Sequence, residues 1–352
     1  HFCGERRRSM MAAPIQFVLP PVLNASRPPE RRGIRRDHVK LMVSDRFTGN
    51  SLHTFFFKLE QFLSPGDVLV LNDSRTIPAS LKADWIRKDE CLKAGIEVRL
   101  ARKQSESTWE ALVVNGEVMP GDVVEFSPRL KANVVQLRKP FVTLSFNQQG
   151  TALLAEIYEL GEPVRYEYAE EAWALDYYQT VYGNVPGSVE LPSAGRAFTW
   201  EMLFRLQKKG VKIAYLTLHT GLSYLFDDAD RVAPEENCEF YMIPEETARI
   251  IREAKQREKR VIAVGTTVVR ALESAALTGV IQSASGWTCL RIDKDTHLNV
   301  VTGLMTGFHE PEASHLDLLT AFCRPESLAR MYQEAIEKRY LWHEFGDIHL
   351  IL

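Results

Sequence analysis

The sequence of 352 residues contains few cysteines, and they lie far apart in the chain. No C-x-x-C pair occurs, which argues against a disulfide framework and against a zinc knuckle. We expect free thiols in a reducing cytoplasm, and we assign none to catalysis because an isolated cysteine is usually a small core residue. The cysteines are Cys3, Cys91, Cys238, Cys289 and Cys323.

An excess of one charge and long apolar runs are also missing. The 43 lysines and arginines nearly balance the 46 aspartates and glutamates. This balance argues against a protein coated in positive charge for non-specific nucleic-acid binding, although a local basic patch is compatible with it. No run of about 18 uncharged apolar residues occurs, so we expect no transmembrane helix and no membrane partner.

Several signatures of common enzymes are absent. No G-x-G-x-x-G follows a predicted strand, so neither a dinucleotide-binding fold nor the usual methyltransferase loop is supported. Neither a phosphate-binding G-x-x-x-x-G-K-[ST] loop nor a G-x-S-x-G nucleophile elbow occurs. His309 and His315 lack the spacing of a zinc-binding helix, so we predict no metal site.

What is present is an ordinary globular composition, with 45% hydrophobic and 25% charged residues. It excludes a disordered chain and a coiled-coil rod, and the length favours two domains. The chain does not begin with Met, so we set residues 1–10 aside as left from expression or translated upstream sequence.

The first 40 residues carry nine lysines and arginines against three acidic residues. Two interpretations stay open for the basic stretch at residues 27–36. It is either a solvated connector stiffened by proline or an arm that contacts RNA phosphates. In the second case the contacting residues are Arg31, Arg32, Arg35 and Arg36.

Residues 66–165 are rich in short apolar runs separated by turn signals, such as Asn115-Gly116. Many short strands at this spacing predict a small antiparallel barrel. From about residue 195 onward, helical and strand patterns alternate with short links, which is typical of an α/β layer with parallel strands. We therefore predict an α/β domain formed by residues 11–65 and 166–352, with the barrel at 66–165 inserted between them.

The elements predicted in the second half of the chain have distinct signals. Thr199 is a good N-cap for a helix that Gly210 ends. The predicted strands cover residues 211–218, 261–264, 290–293, 298–304 and 348–352. The predicted helices cover residues 199–209, 244–259, 268–277, 312–322 and 326–340.

Polar residues follow two of the buried strands. Gly265, Thr266 and Thr267 lie between a strand and a helix, where backbone N–H groups bind anions and hydroxyls. Alternatively, one of the threonines is only an N-cap. His219 ends the preceding strand and is suited to proton transfer, although a structural histidine is the alternative.

Two further stretches are polar. Residues 307–315 combine two histidines and two glutamates around a proline, which favours a polar ligand-binding turn. Asp347 follows a glycine before the last predicted strand, and taken alone this stretch is only a loop.

Taken together, these stretches resemble the S-adenosylmethionine:tRNA ribosyltransferase-isomerase family of queuosine biosynthesis. They occur in the family's order over almost the whole chain. The matching stretches are residues 65–79, 178–182, 192–195, 218–219 and 261–267, then Arg270 and Glu273, Phe308-His309, and Gly346-Asp347.

The resemblance implies an α/β domain with a small β-barrel inserted near its N-terminus. It also implies a reaction in which the ribosyl part of S-adenosylmethionine is transferred to the 7-aminomethyl-7-deazaguanine wobble base of tRNA and isomerised. Epoxyqueuosine forms, and adenine and methionine are released. The expected partners are S-adenosylmethionine as co-substrate and tRNA, with no other cofactor, and the expected state is a cytoplasmic monomer.

Residue roles follow from the resemblance and the chemistry. His219 or His309 is the general base that removes a C5′ proton beside the sulfonium, and Asp347 or Glu310, if protonated, donates to departing adenine. Arg270 pairs either with the methionine carboxylate or, structurally, with Glu273. The other predicted substrate-binding residues are Asn72, Arg75, Tyr178, Pro192, Ser193, Ala194, Gly195, Gly221, Gly265, Thr266, Thr267, Glu273, Phe308 and His315.

The chain also departs from the family pattern. Arg196-Ala197-Phe198 stands where the family has Leu-His-Phe, and the stretch 234–239 lacks the family's two histidines. New histidines appear instead at His315, His343 and His349. Two alternatives to the family reaction follow: a divergent paralogue that binds S-adenosylmethionine or a related nucleoside but modifies another acceptor, or a non-catalytic RNA- or nucleoside-binding protein.

Overall fold

The structure, a computed structural model, describes residues 15–222, 238–310 and 314–352. For Ser314 and His315 it describes the backbone alone, so the predicted role of the His315 side chain lies outside the described residues.

A mixed sheet forms the centre of the main domain. Within the described ranges it has nine strands in the order β15-β13-β12-β3-β14-β16-β17-β1-β2. Its strands are β1 (Lys40–Ser44), β2 (Ser51–Phe55), β3 (Val68–Asn72), β12 (Lys212–Leu218), β13 (Glu239–Ile243), β14 (Val261–Val264), β15 (Ala284–Thr288), β16 (Gly303–Thr306) and β17 (Ile348–Ile351).

The centre of this sheet is apolar on both faces. β14 is apolar at all four positions and fully buried, as expected of a central parallel strand. Because side chains alternate along a strand, Val261 and Ala263 join the core on one face, whereas Ile262 and Val264 join a second core on the other face.

Six strands close the second sheet into an antiparallel barrel in the order β10-β7-β6-β5-β8-β9. They are β5 (Ser80–Arg87), β6 (Glu90–Lys103), β7 (Thr108–Val113), β8 (Val123–Glu125), β9 (Lys131–Arg138) and β10 (Phe141–Phe146). Two short strands, β4 (Ser74–Thr76) and β11 (Val185–Ser188), pair in parallel beside it.

The predicted fold class is confirmed, because an inserted antiparallel barrel interrupts a sheet with parallel strands. The predicted start of the barrel at residue 66 is wrong. β3 pairs with β12 and β14 in the main sheet, and the barrel strands begin only at Ser80. A run of short strands cannot reveal which sheet its first member joins.

The helices are α1 (Gly150–Leu160), α2 (Trp200–Lys209), α3 (Glu245–Gln256), α4 (Thr266–Ser274), α5 (Ser314–Leu319) and α6 (Pro325–Glu337). The predicted start of α2 is confirmed, since Thr199 Oγ1 accepts the Met202 N–H at 3.2 Å. Gly210 ends that helix in the left-handed region with φ +102°. Within the described ranges, none of the helices has the length and apolar character that a membrane span requires.

Two predictions about residues 238–293 are wrong. The strand lies at Ala284–Thr288 rather than at 290–293, and it pairs antiparallel with β13. This register places Glu239 opposite Thr288, so Cys238 and Cys289 meet one step further and form a disulfide. The expectation of free thiols is therefore wrong for these two cysteines, whose separation of 51 residues in the sequence did not indicate the pairing. Cys91 and Cys323 are free.

Candidate functional site

Four neighbouring strands end at one edge of the main sheet. β12, β3, β14 and β16 run parallel, so their carboxyl ends share this edge. His219 follows β12, Asn72 ends β3, Gly265 follows β14 and Thr306 ends β16. The structure therefore brings the predicted residues His219, Asn72 and Gly265 to one end of the sheet, and Thr306 joins them there.

His219 is held by small polar neighbours. Its Nδ1 lies 2.8 Å from Ser74 Oγ, which in turn lies 2.5 Å from Ser188 Oγ. The imidazole packs on Gly187, where an added Cβ would stand 2.5 Å from Cε1 of the ring. Burial, with the positive charge of Lys103, lowers the pKa of His219 to about 4. The ring is therefore neutral near pH 7, which is the form that accepts a proton.

Asn72 helps to position His219 indirectly, through the backbone of the preceding residue. Its Nδ2 donates to Leu218 O at 2.8 Å and its Oδ1 accepts from Leu218 N at 2.9 Å. The side chain therefore clamps the end of β12 one residue before His219. Asp73 comes next on the same edge, and its Oδ1 accepts from Thr217 Oγ1 at 2.6 Å, while burial raises the pKa of Asp73.

The turn formed by Pro192, Ser193, Ala194 and Gly195 approaches the end of β14. A Cβ added to Gly265 would lie 3.8 Å from that of Ala194. Gly195 packs so tightly on Tyr182 that any side chain there would overlap its hydroxyl. The conformation of this turn thus depends on a glycine, as the sequence match at these positions suggested.

The first turn of α4 presents polar groups at the same edge. Gly265 occupies the N-cap position with φ +111°, so neither threonine is the N-cap and that alternative is wrong. Thr266 and Thr267 are half-buried. Within the described ranges, no hydrogen bond engages their hydroxyls. Their role in binding ribose hydroxyls stays a prediction that this geometry permits.

Arg270 and Glu273 have different structural partners. Arg270 Nη2 lies 2.6 Å from Glu239 Oε2, so the predicted Arg270–Glu273 ion pair is wrong. Glu273 instead accepts the backbone N–H groups of Val300 and Val301, both at 2.9 Å, and that of Asn299 at 2.8 Å. A side chain one turn away on the helix is a weaker partner than these preformed donors.

The residues of the polar turn after β16 lie in different surroundings, some at the sheet edge and some in the core. His309 Nε2 lies 2.9 Å from Thr306 Oγ1 at the sheet edge. Phe308 is 1% exposed and packs against Trp342, so its ring belongs to the core. Glu310 is half exposed, with Oε1 3.3 Å from His343 Nε2.

Asp347 is buried and its carboxylate is engaged by the backbone. Oδ1 accepts from Lys40 N and Oδ2 from Leu341 N, each at 2.7 Å. Burial raises the pKa of Asp347, while these two N–H donors act in the opposite direction. The carboxylate therefore ties the loop before β17 to β1, and proton donation from Asp347 stays an untested prediction.

Three other predicted residues lie around this region. Arg75 follows Ser74 on β4 and is half-buried, and its guanidinium has no acceptor within the described ranges. Tyr178 is buried against Phe345, and burial raises the pKa of its phenol. Gly221 lies beside the barrel strand β6, with an added Cβ 3.4 Å from Ala101 O.

The basic arm is folded rather than extended. Arg32 donates to Phe345 O at 3.1 Å, and Arg36 donates to Arg196 O at 3.2 Å, so both serve packing. Arg31 is exposed, and its guanidinium stacks over Trp173. Arg35 is 57% exposed and pairs with Glu201. Contact with RNA stays a prediction, and the exposed Arg31 and Arg35 are better candidates for it than Arg32 and Arg36.

A cluster of acids and phenols, linked to the residue after His219, carried no sequence signal. We call Glu190, Glu344, Tyr166 and Tyr168 the acid–phenol cluster. Tyr166 donates to Glu190 Oε1, and Tyr168 hydrogen-bonds Glu344. These residues come from three distant segments that form no recognisable motif. Among the described residues, no group of three or more side chains is arranged to hold a metal ion.

A model of the queuosine biosynthesis protein family matches residues 13–351. The chain belongs to this family. The S-adenosylmethionine:tRNA ribosyltransferase-isomerase of Thermotoga maritima is 36% identical over 354 residues, covering 97% of this chain and all of the relative. The relative of the same name from Heliobacterium modesticaldum is 36% identical over 352 residues, with the same coverage.

A solved structure agrees with this family membership. The crystal structure of S-adenosylmethionine tRNA ribosyltransferase from Thermotoga maritima matches with a TM-score of 0.55 and 33% identity. The match covers 96% of this chain and 99% of that chain. The resemblance predicted from the sequence is thereby confirmed.

Three departures from the pattern of the queuosine biosynthesis family have local explanations. Arg196 is buried, and its Nη2 contacts both carboxylate oxygens of Glu30, at 3.2 and 3.0 Å. Its partners in the N-terminal arm therefore accommodate a charged residue in place of the family's leucine. His349 is fully buried and His343 stacks on Tyr168, so these two new histidines serve packing.

Proposed function

We propose that this chain transfers and isomerises the ribosyl group of S-adenosylmethionine onto the 7-aminomethyl-7-deazaguanine base of tRNA. The relatives that match it over nearly their full length are named for the ribosyl transfer and isomerisation, and they belong to queuosine biosynthesis. The product is epoxyqueuosine, and adenine and methionine leave. The predicted monomeric state and cytoplasmic location stay predictions.

His219 is the general base in this proposal. The positive sulfonium of S-adenosylmethionine acidifies the C5′ protons, so the enzyme needs a neutral acceptor near them. The observation that carries this assignment is the His219–Ser74 contact at 2.8 Å, which orients the imidazole at the carboxyl end of β12. His309 lies at the same edge but bonds Thr306, and we assign it to substrate positioning.

The neighbouring strand ends hold the rest of the co-substrate. The hydroxyls of Thr266 and Thr267 at the start of α4 suit the ribose hydroxyls, and the turn at residues 192–195 lies against the preceding Gly265. Because Arg270 already pairs with Glu239, the half-buried Arg75 is better placed to receive an anionic group, either the methionine carboxylate or a tRNA phosphate. This chain supplies binding and proton transfer, and S-adenosylmethionine brings its own leaving groups.

The test is product release. The protein is mixed with S-adenosylmethionine and a tRNA that carries the aminomethyl-deazaguanine base, and free adenine and methionine are followed by chromatography. We expect release that requires the modified base, about 100-fold slower or more in His219→Ala. A smaller loss is expected in His309→Ala. Binding of S-adenosylmethionine without release on this tRNA would contradict the proposal and favour another acceptor.

A further inference from the structure

The acid–phenol cluster is a group of titratable residues without an assigned role, and it is connected to the residue that follows His219. Thr220, the residue after His219, donates from Oγ1 to Glu190 O at 2.7 Å. The side chain of Glu190 accepts from Tyr166, which is only 9% exposed. The residue next to His219 is therefore hydrogen-bonded to the backbone of a member of the cluster.

Glu344 has the least satisfied polar group in this cluster. Its Oε1 is fully buried, and within the described ranges nothing hydrogen-bonds that oxygen. Arg196, the cation that acts on it, is already engaged by Glu30. An unsatisfied buried acceptor destabilises the fold, and a catalytic role is one of the explanations for such a group.

The charge environment keeps a proton in the cluster. Burial, with the negative charge of Glu190, raises the pKa of Glu344 to about 8. Two carboxyl groups in one low-dielectric site cannot both ionise easily, so the pair holds one proton near pH 7. The charged or titratable groups that face Glu344 are Glu190, Tyr166, Tyr168, Tyr178, Arg36 and Arg196.

Glu344 also lies near the turn at residues 192–195. Together with Ser193 and Gly346 it lines a small cavity. Ser193 begins the turn whose Ala194 lies against Gly265. Neither acid predicted from the sequence is as well suited, since both oxygens of Asp347 accept backbone N–H groups and Glu310 is 46% exposed.

We propose that Glu344 is the general acid that protonates adenine as it leaves the ribosyl group. This inference rests on the function proposed above. It adds a residue and a role that the sequence motifs did not contain, and it replaces Asp347 and Glu310 as the donor.

The step balances as follows. The bond from C1′ to the adenine nitrogen breaks, and its electron pair goes to adenine. The Glu344 O–H proton is transferred to adenine, which leaves as the neutral base, and Glu344 becomes a carboxylate. A lone pair of the ribose ring oxygen compensates the electron deficiency at C1′. Glu344 regains its proton when the aminomethyl nitrogen of the acceptor loses one on forming its new bond.

A carboxylic acid also fits adenine as a hydrogen-bonding partner. It presents a donor and an acceptor side by side, and adenine offers the N7 acceptor next to the N6 donor. A glutamine amide keeps this donor–acceptor pattern but cannot release a proton at neutral pH. The Glu344→Gln variant therefore separates recognition from proton transfer.

The experiment compares wild type, Glu344→Gln and Glu344→Ala, with Glu159→Gln on the exposed face of α1 as the matched control. Affinity for S-adenosylmethionine is measured by calorimetry, and adenine release is measured in single turnovers on the modified tRNA. We expect Glu344→Gln to keep Kd within about twofold while release slows about 100-fold or more. Glu344→Ala should lose both affinity and release, and the control should match wild type.

A second variant supports the test through pH. Glu190→Gln removes the neighbouring charge, so adenine release should begin to decline at a lower pH than in wild type. This shift in the pH dependence tests the role of Glu344 even if Glu344→Gln does not fold. Wild-type release rates in Glu344→Gln, or an unmoved pH limit in Glu190→Gln, would overturn the inference. If wild type itself releases no adenine, the proposed function fails instead.

Discussion

The hydroxyl of Ser74 lies 2.8 Å from Nδ1 of His219. A second contact, 2.5 Å to Ser188 Oγ, holds that hydroxyl in place. Ser74 and Ser188 stand on β4 and β11, outside the main sheet, whereas His219 follows β12 within it. A pair of short strands thus fixes the imidazole of a residue carried by another sheet, and with it the nitrogen that remains for proton transfer.

Ser74→Ala should slow adenine release because it frees the imidazole to rotate. We expect a loss of about tenfold in single turnovers, since an orienting hydrogen bond contributes about 1–1.5 kcal/mol, and little change in affinity for S-adenosylmethionine. In a His219→Ala background the same substitution should have no further effect, because the two residues act as a unit. Independent, additive losses would contradict this coupling, and Ser105→Ala on the exposed barrel surface is the control.

Gly187→Ala should displace the same imidazole by steric contact. An added Cβ would stand 2.5 Å from Cε1 of His219, so the ring must move. Release should fall at least tenfold. Gly286→Ala is the matched control, since an added Cβ there meets nothing within 4 Å. If Gly187→Ala released adenine at the wild-type rate, the histidine position would not matter to the chemistry.

The sequence could predict the elements with strong local signals. Thr199 and Gly210 mark the two ends of α2, and the apolar run at 261–264 is a buried strand. Local signals also place His219 and Gly265 after strands, which is why their positions at the carboxyl ends of β12 and β14 could be predicted. The side-chain partners could not be predicted in the same way, because Arg270 pairs with Glu239 across 31 residues and the charge of Glu190 acts on Glu344 from a distant segment.

The boundary of the barrel illustrates the same limit. β3 has the composition of its barrel neighbours, and only its pairing with β12, far away in sequence, assigns it to the main sheet. The disulfide between Cys238 and Cys289 likewise follows from the register of β13 against β15. Sheet pairing is long-range information that periodicity along a chain does not contain.

The arginines of the basic arm should separate into two classes. Replacing Arg31 and Arg35 with alanine should reduce the slope of log affinity for tRNA against log salt by about 1–2, since each phosphate contact contributes about 0.7–0.9. Replacing Arg32 and Arg36 should instead lower Tm, because both donate to backbone carbonyls inside the fold. An unchanged salt slope in the Arg31/Arg35 variant would show that the arm is only a connector.

His349 should make the fold sensitive to acid. The imidazole is fully buried, its Nε2 lies 2.8 Å from Ser44 Oγ, and burial lowers its pKa to about 3. Below pH 6.5, the ordinary value for histidine, the unfolded chain binds a proton that the folded chain does not. The free energy of unfolding therefore falls as pH drops from 6.5 toward 3, by about 1.4 kcal/mol per pH unit for this residue.

Urea unfolding at pH 7, 6 and 5 tests this expectation. His349→Phe keeps an aromatic ring beside Phe308, which stacks on the imidazole at 5.4 Å, but it cannot titrate. The variant loses the Ser44 hydrogen bond and should be less stable than wild type at pH 7. Between pH 6 and 5 the free energy of unfolding of the variant should nevertheless fall less steeply than that of wild type. The two slopes should differ by about 1 kcal/mol per pH unit. Equal slopes in the two proteins would mean that His349 takes up a proton in the folded state, which its burial against Phe308 opposes.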